Sequence, residues 1–253
     1  MSQPEAGGGA PPKRTPRRRW RLVLIWLASI LGFVIVGALA LVVVAGVRDG
    51  TGPFDSFYVN RLAKTTRDEP KGGIVFYGAS NFARWSEINT DLAPYHVVNH
   101  GFGGSTDKRL VKHADTLLFP LEPAVVVFQT GSNDYLFMTG TDQAKAAECL
   151  AYKKQMFADF HERLPDAQFV VMSGLLAPGR ANHVPVTQMV NQGLKEFAES
   201  VDYLRFVDAS ELTYDGSVFD ESLFVADGIH LNRTGQQAWA QYIIPVLDDI
   251  TRP

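Results

Sequence analysis

The sequence has a single cysteine, Cys149, among 253 residues. One cysteine excludes an intramolecular disulfide framework and any zinc or iron–sulfur site built from several cysteines. The six histidines also lack metal-binding spacing such as His-Glu-x-x-His. We therefore expect neither a metal nor a cofactor.

A basic globular surface is also lacking. The chain has 24 basic and 27 acidic residues, a net charge of −3. Residues 1–21 contain six basic residues and one acidic residue, so the other 18 basic and 26 acidic residues give the rest of the chain a net charge of −8. Domains that bind nucleic acids carry basic surfaces, so we expect no nucleic-acid partner.

Charge is missing altogether from residues 22–47. A helix of this length spans roughly 39 Å, enough to cross a hydrocarbon core of about 30 Å. The apolar stretch of a cleavable signal peptide covers only about 7–15 residues, so the length favours an uncleaved transmembrane helix. Basic residues remain on the cytoplasmic side of a span. The sequence thus predicts a disordered cytoplasmic tail over residues 1–21 and an extracytoplasmic domain after the helix.

The remaining sequence indicates one α/β domain over residues 72–253, preceded by a juxtamembrane linker over 48–71 with a short helix near 54–62. Short runs rich in Val, Ile and Phe are typical of strands buried on both faces. Predicted strands cover 74–77, 96–99, 124–129, 169–172 and 205–207, and predicted helices cover 82–91, 106–118, 142–164, 186–200 and 234–249. This alternation predicts a three-layer α/β/α sandwich, flavodoxin-like, with a parallel sheet of about five strands.

Ligands bind beyond the carboxyl ends of the strands in such sheets, so the segments that follow the strands are informative. Ser80 follows the first predicted strand in the run Gly78-Ala79-Ser80-Asn81. A serine at a strand-to-helix turn acts as a nucleophile only beside a base. The ordinary alternative is a helix N-cap.

Two further segments supply hydrogen-bond donors. Gly101, Gly103 and Gly104 follow the second strand, where they leave backbone N–H groups accessible to an anion, although a flexible turn is an equal interpretation. The run matches neither a P-loop nor a dinucleotide-binding fingerprint. Asn133 follows the third strand in Gly-Ser-Asn-Asp and can donate its amide to an oxyanion, although asparagine is also well suited to turns.

A base and its partner occur near the C terminus, in Asp227-Gly228-Ile229-His230. If the turn folds back, the carboxylate can bind one ring nitrogen and fix the tautomer of His230. An exposed loop before a helix is the alternative. Each segment is weak alone, but together they supply a nucleophile, oxyanion donors and an oriented base at predicted strand ends.

In these segments the sequence resembles the SGNH/GDSL hydrolases, a family of serine esterases and lipases. Residues 78–80, 99–105, 131–134 and 227–230 are similar to the four blocks of that family, and the resemblance covers roughly residues 72–250. Ala79 departs from the pattern, because the family motif has an aspartate there.

The resemblance implies that Ser80 is the nucleophile, His230 its general base and Asp227 the residue that orients His230. It also implies an oxyanion hole formed by the Ser80 N–H, the Gly104 N–H and the Asn133 side chain.

We therefore predict a membrane-anchored, extracytoplasmic serine esterase that cleaves a small-molecule, glycan or lipid ester through an acyl-serine intermediate. Two alternatives stay open. The same triad could serve an O-acyltransferase with a cell-surface sugar or lipid acceptor, or the fold could be a non-catalytic binding module. The sequence does not indicate an oligomeric state.

Overall fold

The computed structural model describes residues 16–48 and 55–252, and the chain divides into two compact units, 1–45 and 46–253. Most of the predicted cytoplasmic tail, residues 1–15, lies outside the described residues. Helix α1, Pro16–Arg48, forms the described part of the first unit and runs three residues beyond it. Its segment Trp20–Val42 has a mean hydropathy of 2.7 and none of it is buried. By length and composition it is the one helix among the described residues that could cross a membrane.

Five parallel strands form the centre of the second unit, which confirms the predicted sheet. They are β1 (Ile74–Gly78), β2 (Val97–Asn99), β3 (Val125–Gln129), β4 (Gln168–Met172) and β5 (Leu204–Val207). Their order is β2-β1-β3-β4-β5, with every neighbouring pair parallel. The chain order reverses between β1 and β3, which is where sheets of this topology bind their ligands.

Helices cover both faces of this sheet. They are α2 (Asp55–Thr66), α3 (Ser80–Ala83), α4 (Ile88–Asp91), α5 (Asp107–Leu117), α6 (Asp142–Arg163), α7 (Val184–Glu199) and α8 (Arg233–Thr251). Strand residues alternate between the two layers. Val75 and Tyr77 of β1 belong to the core shared with α2, α5, α6 and α7, whereas Ile74 and Phe76 belong to the core shared with α3, α4 and α8. The predicted three-layer sandwich is therefore confirmed.

The single helix predicted over residues 82–91 is wrong, because the structure has two short helices there, α3 and α4. The chain leaves the helical path at Arg84, and this places the Trp85 side chain in the core against Phe76 and Trp239. The Trp85 indole N–H donates a 2.7 Å hydrogen bond to Asp91 Oδ2. Burial of this large aromatic group, together with its indole hydrogen bond, stabilises the break between α3 and α4.

Candidate active site

Ser80 lies in the tight turn that follows β1. Ala79 is buried and extended, and its N–H donates to the carbonyl of Gln129 at the end of β3 (3.0 Å). Ser80 is then the first residue of α3. The turn therefore fixes the serine at the carboxyl ends of β1 and β3, where the strand order reverses.

The loop that precedes α8 brings a histidine to this serine. His230 Nε2 lies 2.8 Å from Ser80 Oγ, and His230 Nδ1 lies 2.7 Å from Asp227 Oδ2. The second carboxylate oxygen of Asp227 accepts the backbone N–H groups of Ile229 (2.8 Å) and His230 (3.0 Å). The structure thus brings together the serine, the histidine and the aspartate that the sequence singled out.

Hydrogen bonding sets the charge of Asp227. Burial alone would raise the pKa of this carboxyl group, but the N–H groups of His230 and Ile229 and the His230 ring together lower its pKa to about 2. The carboxylate is therefore ionised throughout the physiological range and is suited to stabilise an imidazolium beside it.

Hydrogen bonds hold the loop that carries Asp227 and His230 on two sides. Asn81 Oδ1 accepts the backbone N–H of Leu231 at 2.9 Å, and the Gly179 N–H donates to the carbonyl of Gly228 at 2.8 Å. A Cβ atom at Gly179 would lie 2.6 Å from the carbonyl oxygen of Asp227, so the contact requires glycine. Sequence reasoning missed Asn81; its only signal is a polar residue directly after the serine.

The glycine run and the Gly131–Asn133 turn approach the same serine. Gly104 has a φ of +68°, a conformation that favours glycine. Asn133 Nδ2 donates to the carbonyl of Ser105 at 3.1 Å. Gly104, Asn133, Ser80 and His230 line one cavity of about 480 Å³. The first N–H groups of α3, including that of Ser80, have no partner within their helix.

A buried ionic network holds the asparagine turn, and sequence reasoning missed it. Lys153 Nζ lies 2.7 Å from Asp107 Oδ2, and the Thr130 hydroxyl donates to Asp107 Oδ1 at 2.6 Å. The Asp107 N–H donates to Asp134 Oδ1 at 3.0 Å. Burial, together with the nearby Asp107 charge, raises the pKa of Asp134 to about 7. The network joins the residue after β3, α5 and α6 to Asp134, which directly follows Asn133 in the chain.

Helix α2 also contributes to the site, through contacts with Arg109 of α5 and with the glycine run. The Arg109 guanidinium forms an ion pair with Asp55 of α2 and donates to the carbonyl oxygens of Gly103 and Gly104. Burial lowers the pKa of Arg109 to about 10, which leaves it cationic. Tyr58 of α2 would meet a Cβ atom at Gly103 at 3.1 Å. Part of the predicted juxtamembrane linker therefore packs as a helix against the glycine loop.

Within residues 16–48 and 55–252, no group of three or more His, Cys, Asp or Glu side chains is placed to hold a metal ion.

Sequence comparison assigns the family. Residues 44–238 match the sequence profile of the GDSL-like lipase/acylhydrolase family. The match spans well over half of the chain, so the chain belongs to this family, and it is a hydrolase that cleaves esters. No curated protein matches it in sequence.

Solved structures share the fold. A Streptococcus pneumonia protein, provisionally described as a platelet activating factor, is 17% identical with a TM-score of 0.67, covering 85% of this chain and 98% of its own. A GDSL-like lipase from Bacteroides thetaiotaomicron is 16% identical with a TM-score of 0.60, and the match covers 76% of this chain and 97% of the lipase. A carbohydrate esterase family 3 protein from Talaromyces cellulolyticus is 15% identical with a TM-score of 0.56, and the match covers 71% of this chain and 97% of that protein. At these identities the likeness concerns the fold.

Proposed function

We propose that this protein is a membrane-anchored serine esterase that cleaves carboxylic esters outside the cytoplasm through an acyl-serine intermediate. One observation carries the proposal: the continuous chain of hydrogen bonds from Ser80 Oγ to His230 Nε2 (2.8 Å) and from His230 Nδ1 to Asp227 Oδ2 (2.7 Å). A serine is inert alone and becomes nucleophilic beside a base held in one tautomer.

Acylation begins when Ser80 Oγ attacks the ester carbonyl carbon while His230 Nε2 takes the hydroxyl proton. Asp227 stabilises the imidazolium that forms. The tetrahedral oxyanion accepts hydrogen bonds from the N–H groups of Ser80 and Gly104 and from the Asn133 amide. Asn133 Nδ2 has two hydrogens, so its bond to the Ser105 carbonyl leaves one hydrogen free for the oxyanion.

The intermediate then collapses as the bond to the alcohol breaks, and His230 gives its proton to the departing oxygen. Water enters next and loses a proton to His230 as it attacks the acyl carbon. A second tetrahedral oxyanion forms among the same donors. Its collapse releases the carboxylic acid and returns the proton to Ser80.

Turnover of p-nitrophenyl esters of graded acyl length by the full-length protein in detergent tests this proposal. We expect hydrolysis by the wild type and none above background by Ser80→Ala. Ser86→Ala is the matched control, because Ser86 is exposed and lies outside the cavity. Wild-type rates in Ser80→Ala would refute the proposal. If an alcohol acceptor is added and the main product becomes a new ester instead of the carboxylic acid, the protein is an acyltransferase.

The membrane anchor is the second part of the proposal. The apolar length of α1 and the six basic residues before residue 22 support a single span with a cytoplasmic N terminus. Alkaline phosphatase fused at the C terminus should be active, because that enzyme matures outside the cytoplasm. An inactive phosphatase fusion together with a fluorescent cytoplasmic reporter at the same position would reverse the orientation.

A further inference from the structure

Charged side chains of one sign, positive, line the cavity at Ser80. Arg61, Arg84 and Arg180 line it, and no aspartate or glutamate is found among the described residues that form its wall. This contrasts with residues 22–253, which carry a net charge of −8. A cleft that gathers one sign of charge raises the local concentration of ligands of the opposite sign.

Arg180 adjoins the loop that carries His230, the proposed general base. It follows Gly179, whose N–H donates to the carbonyl of Gly228 inside the Asp227–His230 loop (2.8 Å). Arg180 Nε is buried, and neither a hydrogen bond nor an ion pair to this side chain is found in the described part of the chain. A buried guanidinium nitrogen without a partner carries a desolvation cost that a bound anion would relieve.

Arg61 lies on α2, one turn beyond Tyr58, which contacts the glycine loop. Its side chain is exposed toward the cavity, and no ion pair to it occurs within residues 55–252. Arg84 differs, because its Nη1 lies 3.6 Å from Asp227 Oδ2 and its charge is partly balanced. Arg180 and Arg61 are therefore the two cavity arginines with a free charge among the described side chains.

We infer that the substrate is an ester whose alcohol portion carries an anionic group, a carboxylate or a phosphate, and that Arg180 and Arg61 bind this group. The inference rests on the proposed function of Ser80. His230 protonates the departing alcohol, and Arg180 adjoins the loop that carries His230, so the charge belongs on the alcohol side. Guanidinium groups suit carboxylate and phosphate because their N–H donors match the oxygen pairs of these anions.

The test compares kcat/KM of the full-length protein for three acetyl esters. They are 4-acetoxybenzoate, 4-acetoxyphenyl phosphate and the neutral 4-acetoxybenzamide. The amide has the better leaving group of the carboxylate–amide pair, so a preference for the carboxylate cannot arise from leaving-group chemistry. We expect kcat/KM to be at least about 10-fold higher for one or both anionic esters, in line with charge-assisted hydrogen bonds. The preferred anion distinguishes a carboxylate from a phosphate ligand.

Variants then assign the preference to residues. Arg180→Gln and Arg61→Gln should each lower kcat/KM for the anionic ester by about 10-fold or more and change it less than about 2-fold for the amide. Arg67→Gln is the matched control, since Arg67 is exposed, follows the same helix and lies outside the cavity. Labelling by a neutral fluorophosphonate verifies that each variant retains an intact site.

Equal kcat/KM for all three esters would overturn the inference, as would an equal loss in Arg67→Gln and Arg180→Gln, which would indicate bulk charge alone. Failure of the proposed function looks different: none of the esters would be hydrolysed, or Ser80→Ala would hydrolyse them at the wild-type rate.

Discussion

Asn81 Oδ1 accepts a hydrogen bond from the backbone N–H of Leu231 across 2.9 Å, although the two residues are 150 positions apart. Asn81 follows Ser80 in the chain, and Leu231 follows His230. One buried bond therefore connects the turn that carries the hydroxyl to the loop that carries the imidazole. Because Asn81 and Leu231 are both buried, water cannot readily replace either partner.

The first prediction concerns this connection. Asn81→Ala leaves the Leu231 N–H without a partner, which costs about 1–3 kcal/mol of unfolding free energy. It also frees the His230 loop, so we expect kcat to fall at least about 10-fold, because a small misplacement of a catalytic group has a large cost. Steady-state kinetics and denaturant unfolding measure the two effects.

Asn89→Ala is the control for Asn81→Ala. Asn89 also accepts a backbone N–H, that of Val97 (2.7 Å), but it lies outside the cavity. We expect a smaller loss of stability, because Asn89 is exposed and water can replace its oxygen, with kcat unchanged. Equal losses of kcat in both variants would show that Asn81 acts only through stability.

The second prediction concerns the oxyanion. Asn133→Ala should lower kcat by about 10²–10³, the usual effect of removing one oxyanion donor. KM should change little, because the bond forms only in the transition state. A wild-type near-ultraviolet circular dichroism spectrum verifies the fold. A variant with unaltered kcat would exclude the Asn133 amide from the oxyanion hole.

The third prediction concerns the orientation of the imidazole. Asp227→Asn removes the negative charge next to His230 Nδ1, and the amide can turn its NH2 group toward the ring, which favours the wrong tautomer. We expect kcat to fall by roughly 10²–10⁴ with the fold retained. Rates measured between pH 5 and pH 9 should stay low throughout. Recovery of the wild-type rate at any pH in that range would contradict this role.

The fourth prediction concerns the pH dependence of stability. The pKa of Asp134 is about 7 in the folded protein, above the ordinary aspartate value of about 3.9 in an unfolded chain. The folded state therefore binds more protons between these values. The stability contributed by protonated Asp134 is present below about pH 4 and is lost as the pH rises through 7.

Asp134→Asn cannot ionise and keeps an oxygen that can accept the Asp107 N–H. We expect the unfolding free energy of Asp134→Asn, relative to that of the wild type, to increase as the pH rises from 5 to 8. Denaturant unfolding at the two pH values measures this difference. Asp166→Asn, at an exposed carboxylate, controls for the loss of one charge. A constant difference between Asp134→Asn and the wild type at both pH values would contradict the prediction.

The sequence predicted the features that depend on local pattern. β1 and β3 were recognisable because their runs of Val, Ile and Phe are buried on both faces of the sheet, whereas the edge strand β5 was recognised by its short apolar run although Arg205 is exposed. Ser80 and His230 were recognisable because each follows a predicted strand or precedes a predicted helix within a run that resembles a known family. The hydrogen bond between them remained a prediction, since no local pattern fixes a contact across 150 residues.

Other features depend on tertiary contacts that leave no periodic signal. Lys153 lies within α6, where a lysine ordinarily indicates a solvent-exposed face, yet it is buried against Asp107. The break near Trp85 follows from packing against Trp239, which is distant in the chain. Arg61 could not be placed at the site because its helix falls in a segment that looked like a linker.

Covalent labelling tests the central claim most directly. The full-length protein is treated with a fluorophosphonate probe, digested, and analysed by mass spectrometry to locate the adduct. We predict one adduct, on the peptide that carries Ser80, with no labelling in Ser80→Ala and slow labelling in His230→Ala. An adduct on a different serine, or undiminished labelling of Ser80→Ala, would contradict the assignment of Ser80 as the nucleophile.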